Sequence, residues 1–493
     1  MIWFLFCVSL LLSGYFIYGK ILEKIFKIDV SYTTPAVKLQ DDVDYIPMSK
    51  YKVYLIQLLN IAGIGPIFGP ILGALYGPIA MLWIVIGCIF GGMVHDYCSG
   101  MISLRNNGRS LPALAGKYLG QKFTVIVNIF ASVLLILVGV IFVLSPAKML
   151  TDTLNMADIN IDLGTMIFII FSYYVAATIL PIDKIIGKLY PLFGLLLLFM
   201  SVGLVLSIGF SNEYNMLTNY SLNDAFESIN PTGESWWPGL CITIACGAIS
   251  GFHATQSPLM SRCLKNEKDG HFVFSGAMIG EGIIALIWCA LALSFYDNLD
   301  VLQSVIKEGT PSAVVHEISF TLLGSLGGIL AFFGVVILPI SSGDTAFRAC
   351  RLVISEFLSL EQKKIMNRFI VCIPLFTIGF VLTQVDFQII WRYFGFSNQL
   401  TAVIMLWTAT AYLMKNNRPY WITAIPVLFM NVVVFTFILN NKALGFNFDI
   451  VLSTIASIIF SIGCFFCLWL KNIYFAQVEV IREDIEMVND DNV

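Results

Sequence analysis

Ionisable side chains inside long apolar runs are few, because a charge at bilayer depth is costly unless it is paired or used. This chain has them at a handful of places. His95 and Asp96 are adjacent, toward one end of the apolar run 78–103. His253 follows a glycine-rich stretch in 237–259, and Glu281 sits at mid-depth of 272–296. A histidine can hold a carboxylate or relay a proton near neutral pH. A buried carboxyl can take up and give off a proton. Asp96 and Glu281 are therefore candidates for coupling to an ion gradient, Asp96 with a plain interfacial position as its alternative. His253 is a candidate substrate contact or relay, with a structural hydrogen bond to freed backbone as the competing reading. Gln256, one turn further on, is a second polar contact. At the end of the run 319–343, Ser341 and Ser342 are adjacent hydroxyls, followed by Asp344 and Arg348. The serines could ligate Na⁺ together with backbone carbonyls, or bond back to the preceding turn. Asp344 belongs with the coupling candidates, although its spacing of four from Arg348 equally suits a structural pair on one helix face. Asn398 and Gln399, in 390–414, lie deep enough to need partners, whereas Arg392 can snorkel to the interface.

Such groups need elements to hold them, and two stretches stand out. Residues 60–77, NIAGIGPIFGPILGALYG, are apolar enough for a bilayer but are interrupted by Gly63, Gly65, Pro66, Gly69, Pro70 and Gly73. Proline removes a backbone donor and glycine relaxes the helix. Unsatisfied backbone groups in hydrocarbon are expensive, so a broken helix is tolerated only where it lines a protected cavity. The spacing of Gly65, Gly69, Gly73 and Gly77 by four also suits a smooth face for close helix packing. The second stretch, WPGLCITIACGAISGFHATQSP over 237–258, is weakened by Gly247, Gly251 and Pro258 and brings Ser250, His253, Thr255 and Gln256 inside. Gly63, Gly65, Pro66, Gly247 and Gly251 are the positions where main chain would be freed to bind a substrate.

Composition sets the class. Of 493 residues, 58 % are hydrophobic and only 12 % charged, with a mean hydropathy of +0.84; soluble domains carry about 25 % charged residues. Thirteen apolar runs recur, at 1–18, 55–76, 78–103, 123–145, 163–181, 190–210, 237–259, 272–296, 319–343, 369–386, 390–414, 419–440 and 448–470. The first is read as a retained helix, since it lacks a preceding basic region and a small-residue cleavage site. Loops on one side hold 24 of the 28 Lys and Arg residues, which places the N-terminus outside and the C-terminus in the cytoplasm. The first interrupted stretch then enters from the cytoplasm and the second from outside. Five spans start at each, so the expected organisation is an extra N-terminal helix (1–18), a cytoplasmic segment (19–54), two inverted five-helix repeats (55–210 and 237–414), two further helices (419–470) and a cytoplasmic tail (471–493). Paired broken helices at matching positions of two halves point to a midplane transport site.

The net charge of −4 gives nucleic acid no purchase. Eleven cysteines are scattered through apolar runs as packed thiols, Cys464 and Cys467 included. No GxSxG, HExxH or Walker loop occurs, nor paired Cys/His spacing for a metal. The expectation is a non-enzyme, without metal or cofactor, embedded in a lipid bilayer.

Four motifs in order resemble the carbon starvation protein A (CstA) family over about residues 28–414: FGPILGALYGP, GGMVHDYCSGMISLRNNGRSL, TIACGAISGFHATQSP with MSRCLKNEKDGHFVFSGAMIGEG, and SSGDTAFRACRLVISE with WRYFGFSNQLTA. The resemblance implies an all-α polytopic secondary transporter of the prokaryotic plasma membrane, with a LeuT-like 5+5 inverted-repeat core. It implies uptake of short peptides during carbon starvation, or of pyruvate with protons. By position, Gly63–Pro66 and Cys246–His253 would be the unwound site segments. The expected function is thus a proton-coupled symporter of small carboxylates, with a Na⁺-coupled amino acid transporter, a channel and a membrane-embedded nutrient sensor as alternatives.

Overall fold

The computed structural model describes residues 2–490 apart from 42, 157, 180–185, 211–228, 386 and 443–445, and only the backbone at 2, 152, 156, 186–191, 193, 197, 198, 326, 330, 337, 338, 341, 387, 388, 392 and 474–490. Among the described residues the chain is helical, with one isolated bridge between Met48 and Leu264. Seven helices are long and apolar enough to cross a membrane: Trp3–Phe26, Ile79–Arg105, Gln121–Asn155, Glu267–Phe295, Ile365–Leu382, Trp421–Asn440 and Ile450–Ile473. A bent pair, Lys50–Ile61 with Gly65–Tyr76, makes an eighth. This is fewer than the thirteen expected runs. The others fall on shorter apolar helices such as Leu163–Ile179, on the interrupted stretch after Trp236, within Leu299–Phe357, whose backbone leaves helical geometry at Thr310 and Gly324, or on Phe387–Lys415. A hydropathy run does not register where a helix breaks.

The elements that matter for the site are α1 (Lys50–Ile61), α2 (Gly65–Gly73), α3 (Ile79–Arg105), α4 (Trp236–Thr243), α5 (His253–Ser261), α6 (Gly276–Phe295), α7 (Leu299–Phe357) and α8 (Phe387–Lys415). α3 and the span containing α6 are the central posts, with 83 % of the residues in their most apolar 18-residue stretch buried, against 22 % and 17 % in Trp3–Phe26 and Ile450–Ile473.

Both expected interruptions are present. α1 and α2 meet at a bend of 47°. Ala62 leaves helical geometry and its N–H bonds back to the Leu58 carbonyl at 2.8 Å. Pro66 then falls in the first turn of α2, where its missing N–H removes nothing. The second break is longer, from Ile244 to Phe252 between α4 and α5. Gly247 adopts φ +88° there, a conformation that side-chain-bearing residues disfavour.

The close-packing reading of the first glycines holds as well. A Cβ on Gly65 would strike Cys246, one on Gly69 would lie 3.1 Å from the Thr243 carbonyl oxygen, and one on Gly73 would strike Ile244. The first broken helix therefore presents bare main chain to the second, which fills it with the Cys246 and Ile244 side chains and the Thr243 carbonyl. Gly77, the fourth of the series, instead turns the chain with φ +80° ahead of α3. α3 is widened to a π-helix over Gly87–Gly92. A Cβ on Gly92 would meet the Ala248 carbonyl, so this wide turn is where α3 receives the second break.

Candidate functional site

Three of the expected site residues converge, from three elements. Asp96 comes from α3, His253 opens α5, and Glu281 projects from α6; all are fully buried. His253 Nδ1 lies 2.9 Å from Asp96 Oδ2, and His95 Nδ1 lies 2.8 Å from Asp96 Oδ1. With Asp96 ionised, both imidazoles donate from Nδ1 and leave Nε2 as the acceptor of a neutral ring. His253 Nε2 faces Glu281 Oε2 at 3.4 Å. Neither that nitrogen nor either Glu281 oxygen has a well-formed hydrogen bond among the described residues. The result is a continuous line, His95–Asp96–His253–Glu281, shut off from the surface. Cys246, from the second break, brings its Sγ alongside, within 4.8 Å of the donor atoms of His253 and Glu281. Such a line can hold a proton at more than one place, because each imidazole sits beside a carboxylate.

The second break is held open by side chains that take over its freed backbone groups. Asn398 Oδ1 accepts the Phe252 N–H at 2.7 Å and the Ser250 hydroxyl at 3.1 Å. Trp83 donates to the Ile244 carbonyl at 3.0 Å, and Gln399 to the Cys241 carbonyl at 3.1 Å. Gly251 presses against the backbone of Asn398 and Ala402, so it serves close packing. Gln256 is fully buried; its Nε2 donates to Thr255 Oγ1 at 3.1 Å while its Oε1 lacks a partner among the described residues.

The first break has its own neighbour. Ser342, on α7, donates to the Leu59 carbonyl at 3.0 Å, and a Cβ on Gly63 would lie 3.1 Å from the Ser342 hydroxyl. Asp344 accepts the Tyr173 hydroxyl at 2.7 Å. The side chain of Ser341 lies outside the described residues. A cavity of about 150 Å³ opens between α2, the second break and α8, lined among others by Gly65, Gly69, Thr243, Cys246, Trp391 and Phe394. Cys246 joins this cavity to the polar line.

A further ionic cluster was not anticipated. Asp44, in the polar segment after the first helix, is buried against Arg351 at 3.0 and 3.2 Å and Arg348 at 3.4 Å. Burial pushes its carboxyl up, but Arg351 and Arg348 outweigh this and hold it below the usual carboxylate range. Arg351 also donates to Gln362 at 2.5 Å, and Arg348 to the Ala177 carbonyl. Asp41 presents the loop by accepting the N–H groups of Val43, Asp44 and Tyr45, each at 2.9 Å. A separate pair joins Arg105 to Glu267.

The fold and site define a multi-pass helical membrane protein whose centre is a pair of broken helices enclosing a buried acid–histidine line. The chain belongs to the carbon starvation protein CstA family, whose model matches residues 1–157, 140–325 and 312–437. It is similar to an uncharacterized membrane protein of Haemophilus influenzae, at 50 % identity over 63 % of this chain and 95 % of that one. It is similar to the peptide transporter CstA of Bacillus subtilis, at 25 % identity over 86 % of this chain and 88 % of that one. It is also similar to the pyruvate/proton symporter BtsT of Escherichia coli, at 28 % identity over 57 % of this chain and 47 % of that one. The relatives named by activity here are transporters, in keeping with a non-enzyme.

Proposed function

We propose that the protein is a proton-coupled symporter that takes up short peptides or pyruvate-like carboxylates. One observation carries this reading: the fully buried line His95–Asp96–His253–Glu281 lies beside a cavity between two broken helices. The positive ends of α2 and α5 would attract the substrate carboxylate through the dipole, since the first N–H groups of both helices are bonded within their own turns or to Asn398. His253 and Gln256 would contact it through their side chains. A proton taken up at Asp96 or Glu281 would alter the charge facing that carboxylate and so link the two binding events.

The architecture proposed for this cycle is the LeuT-like 5+5 core, with repeats 55–210 and 237–414, N-terminus outside and C-terminus in the cytoplasm. In that orientation the cavity opens outward. The Asp44–Arg351, Arg262–Glu356 and Arg105–Glu267 pairs then close the cytoplasmic side. Exchange between the two faces would require these pairs to separate. A Na⁺-coupled amino acid transporter is the second reading, favoured by Ser342 beside the freed Leu59 carbonyl.

Proteoliposomes test this. Labelled pyruvate or dipeptide should accumulate under an inward proton gradient and stop when the gradient is collapsed. His253→Ala should abolish uptake with membrane insertion intact, and Glu281→Gln should lose gradient-driven accumulation. Dependence on Na⁺ instead would favour the second reading. Gradient-independent flux would indicate a channel, and binding without flux a sensor. Absence of uptake of either substrate under any proton or Na⁺ gradient would refute symport.

A further inference from the structure

We propose that Cys246, His253 and Glu281 form a binding site for one divalent transition-metal ion of the zinc class. The donor atoms are a sulfur, an imidazole nitrogen and a carboxylate oxygen, all within 4.8 Å of one another, with the nitrogen and oxygen 3.4 Å apart. Tetrahedral Zn²⁺ binds sulfur at about 2.3 Å and nitrogen or oxygen at about 2.0–2.2 Å, which sets ligand atoms about 3.5 Å from each other. The site therefore needs only a small contraction to close on an ion.

Two independent features point to a ligand. His253 Nε2, Glu281 Oε1 and Glu281 Oε2 are buried and make no well-formed hydrogen bond among the described residues, Nε2 and Oε2 approaching each other only to 3.4 Å. Polar groups in that state are costly, and one cation would satisfy them together. The other ring nitrogen of His253 is engaged by Asp96 at 2.9 Å. This is the carboxylate–histidine arrangement that fixes the tautomer and aims the free nitrogen at a metal. His95 braces the opposite oxygen of Asp96.

The donor set also selects the ion. Mg²⁺ and Ca²⁺ prefer all-oxygen ligands, whereas thiolate with imidazole suits Zn²⁺ and Co²⁺. A thiolate and a carboxylate would balance the two positive charges, the thiol releasing its proton on binding. Access runs through the cavity that Cys246 lines. The fourth position would be left for water or an anionic substrate group. The paired-spacing rules used on the sequence pass over this site, because the three donors come from a break, a helix start and a separate helix.

The site shares His253 and Glu281 with the symport reading, but its occupancy is measured without transport. The purified full-length protein in detergent, stripped with chelator, is titrated with Co²⁺ and followed by absorption. One Co²⁺ per chain should bind with a thiolate charge-transfer band and be displaced by Zn²⁺. Cys246→Ser, checked for an unchanged size-exclusion profile, should lose that band, and Glu281→Gln should weaken binding. Asp96→Asn should lower affinity about 10–100-fold. Cys467→Ser, at an exposed thiol, should change nothing. The proposal is overturned if no stoichiometric Co²⁺ binds, if Cys246→Ser keeps the band, or if Cys467→Ser removes it.

Discussion

Replacing Asp44 with asparagine keeps the side chain's shape and removes a carboxylate set between two buried guanidinium groups. Arg351 is fully buried and Arg348 is 1 % exposed, while Asp44 is 4 % exposed. Removing one partner of a buried ion pair costs about 3–5 kcal/mol, because the remaining charge is left uncompensated. Arg351 keeps Gln362 and Arg348 keeps the Ala177 carbonyl, so the lower end, about 3 kcal/mol, is expected. The pH dependence has a definite sign. The folded chain holds the Asp44 carboxyl below its unfolded value. The stabilisation is therefore fully present above the unfolded pKa, about 3.9, and is lost as pH falls below it. Between about pH 8 and pH 5 the gap between wild type and Asp44→Asn should be constant, and it should close in stronger acid. The assay is heating of the detergent-purified protein followed by size exclusion, across a pH series. Superimposed melting curves at neutral pH, or a gap that widens on acidification, would refute this account of Asp44.

Gly247→Ala should destabilise the second break by about 1–2 kcal/mol through its positive φ, with a further loss from contact with the Ala285 methyl. Adding Ala285→Gly should recover only the contact part, as read by thermal unfolding of the single and double variants. Asn398→Leu should leave the Phe252 N–H without its acceptor. That costs about 1–3 kcal/mol, and amide hydrogen exchange at Phe252 should accelerate while exchange in α6 does not.

The two interruptions were legible because glycine and proline act locally: each loosens the helix that contains it. Asp96, His253 and Glu281 were each conspicuous for a similar reason, since an ionisable group in an apolar run needs an explanation wherever it sits. Their meeting was not legible, because nothing in the spacing of residues on three helices says that they face one another. Cys246 was passed over as one packed thiol among many, and only its position in the break distinguishes it. Asn398 was marked as needing a partner, and the partner proved to be backbone that the break releases. Asp44 went unnoticed inside a polar loop. Arg348 and Arg351, three apart at the end of α7, were the available hint, since two buried cations require an anion. The count of spans rests on a different kind of signal. Hydropathy sums over a run and is blind to the geometry within it, so broken and short helices were counted with straight ones.

The bare glycine track along Gly65, Gly69 and Gly73 has a mechanical consequence. With only Cys246, Ile244 and the Thr243 carbonyl filling the seam between the two fractured segments, prising them apart would strip main chain of its cover. They are held as a single keel. Across the cavity they face the aromatic wall of Trp391 and Phe394.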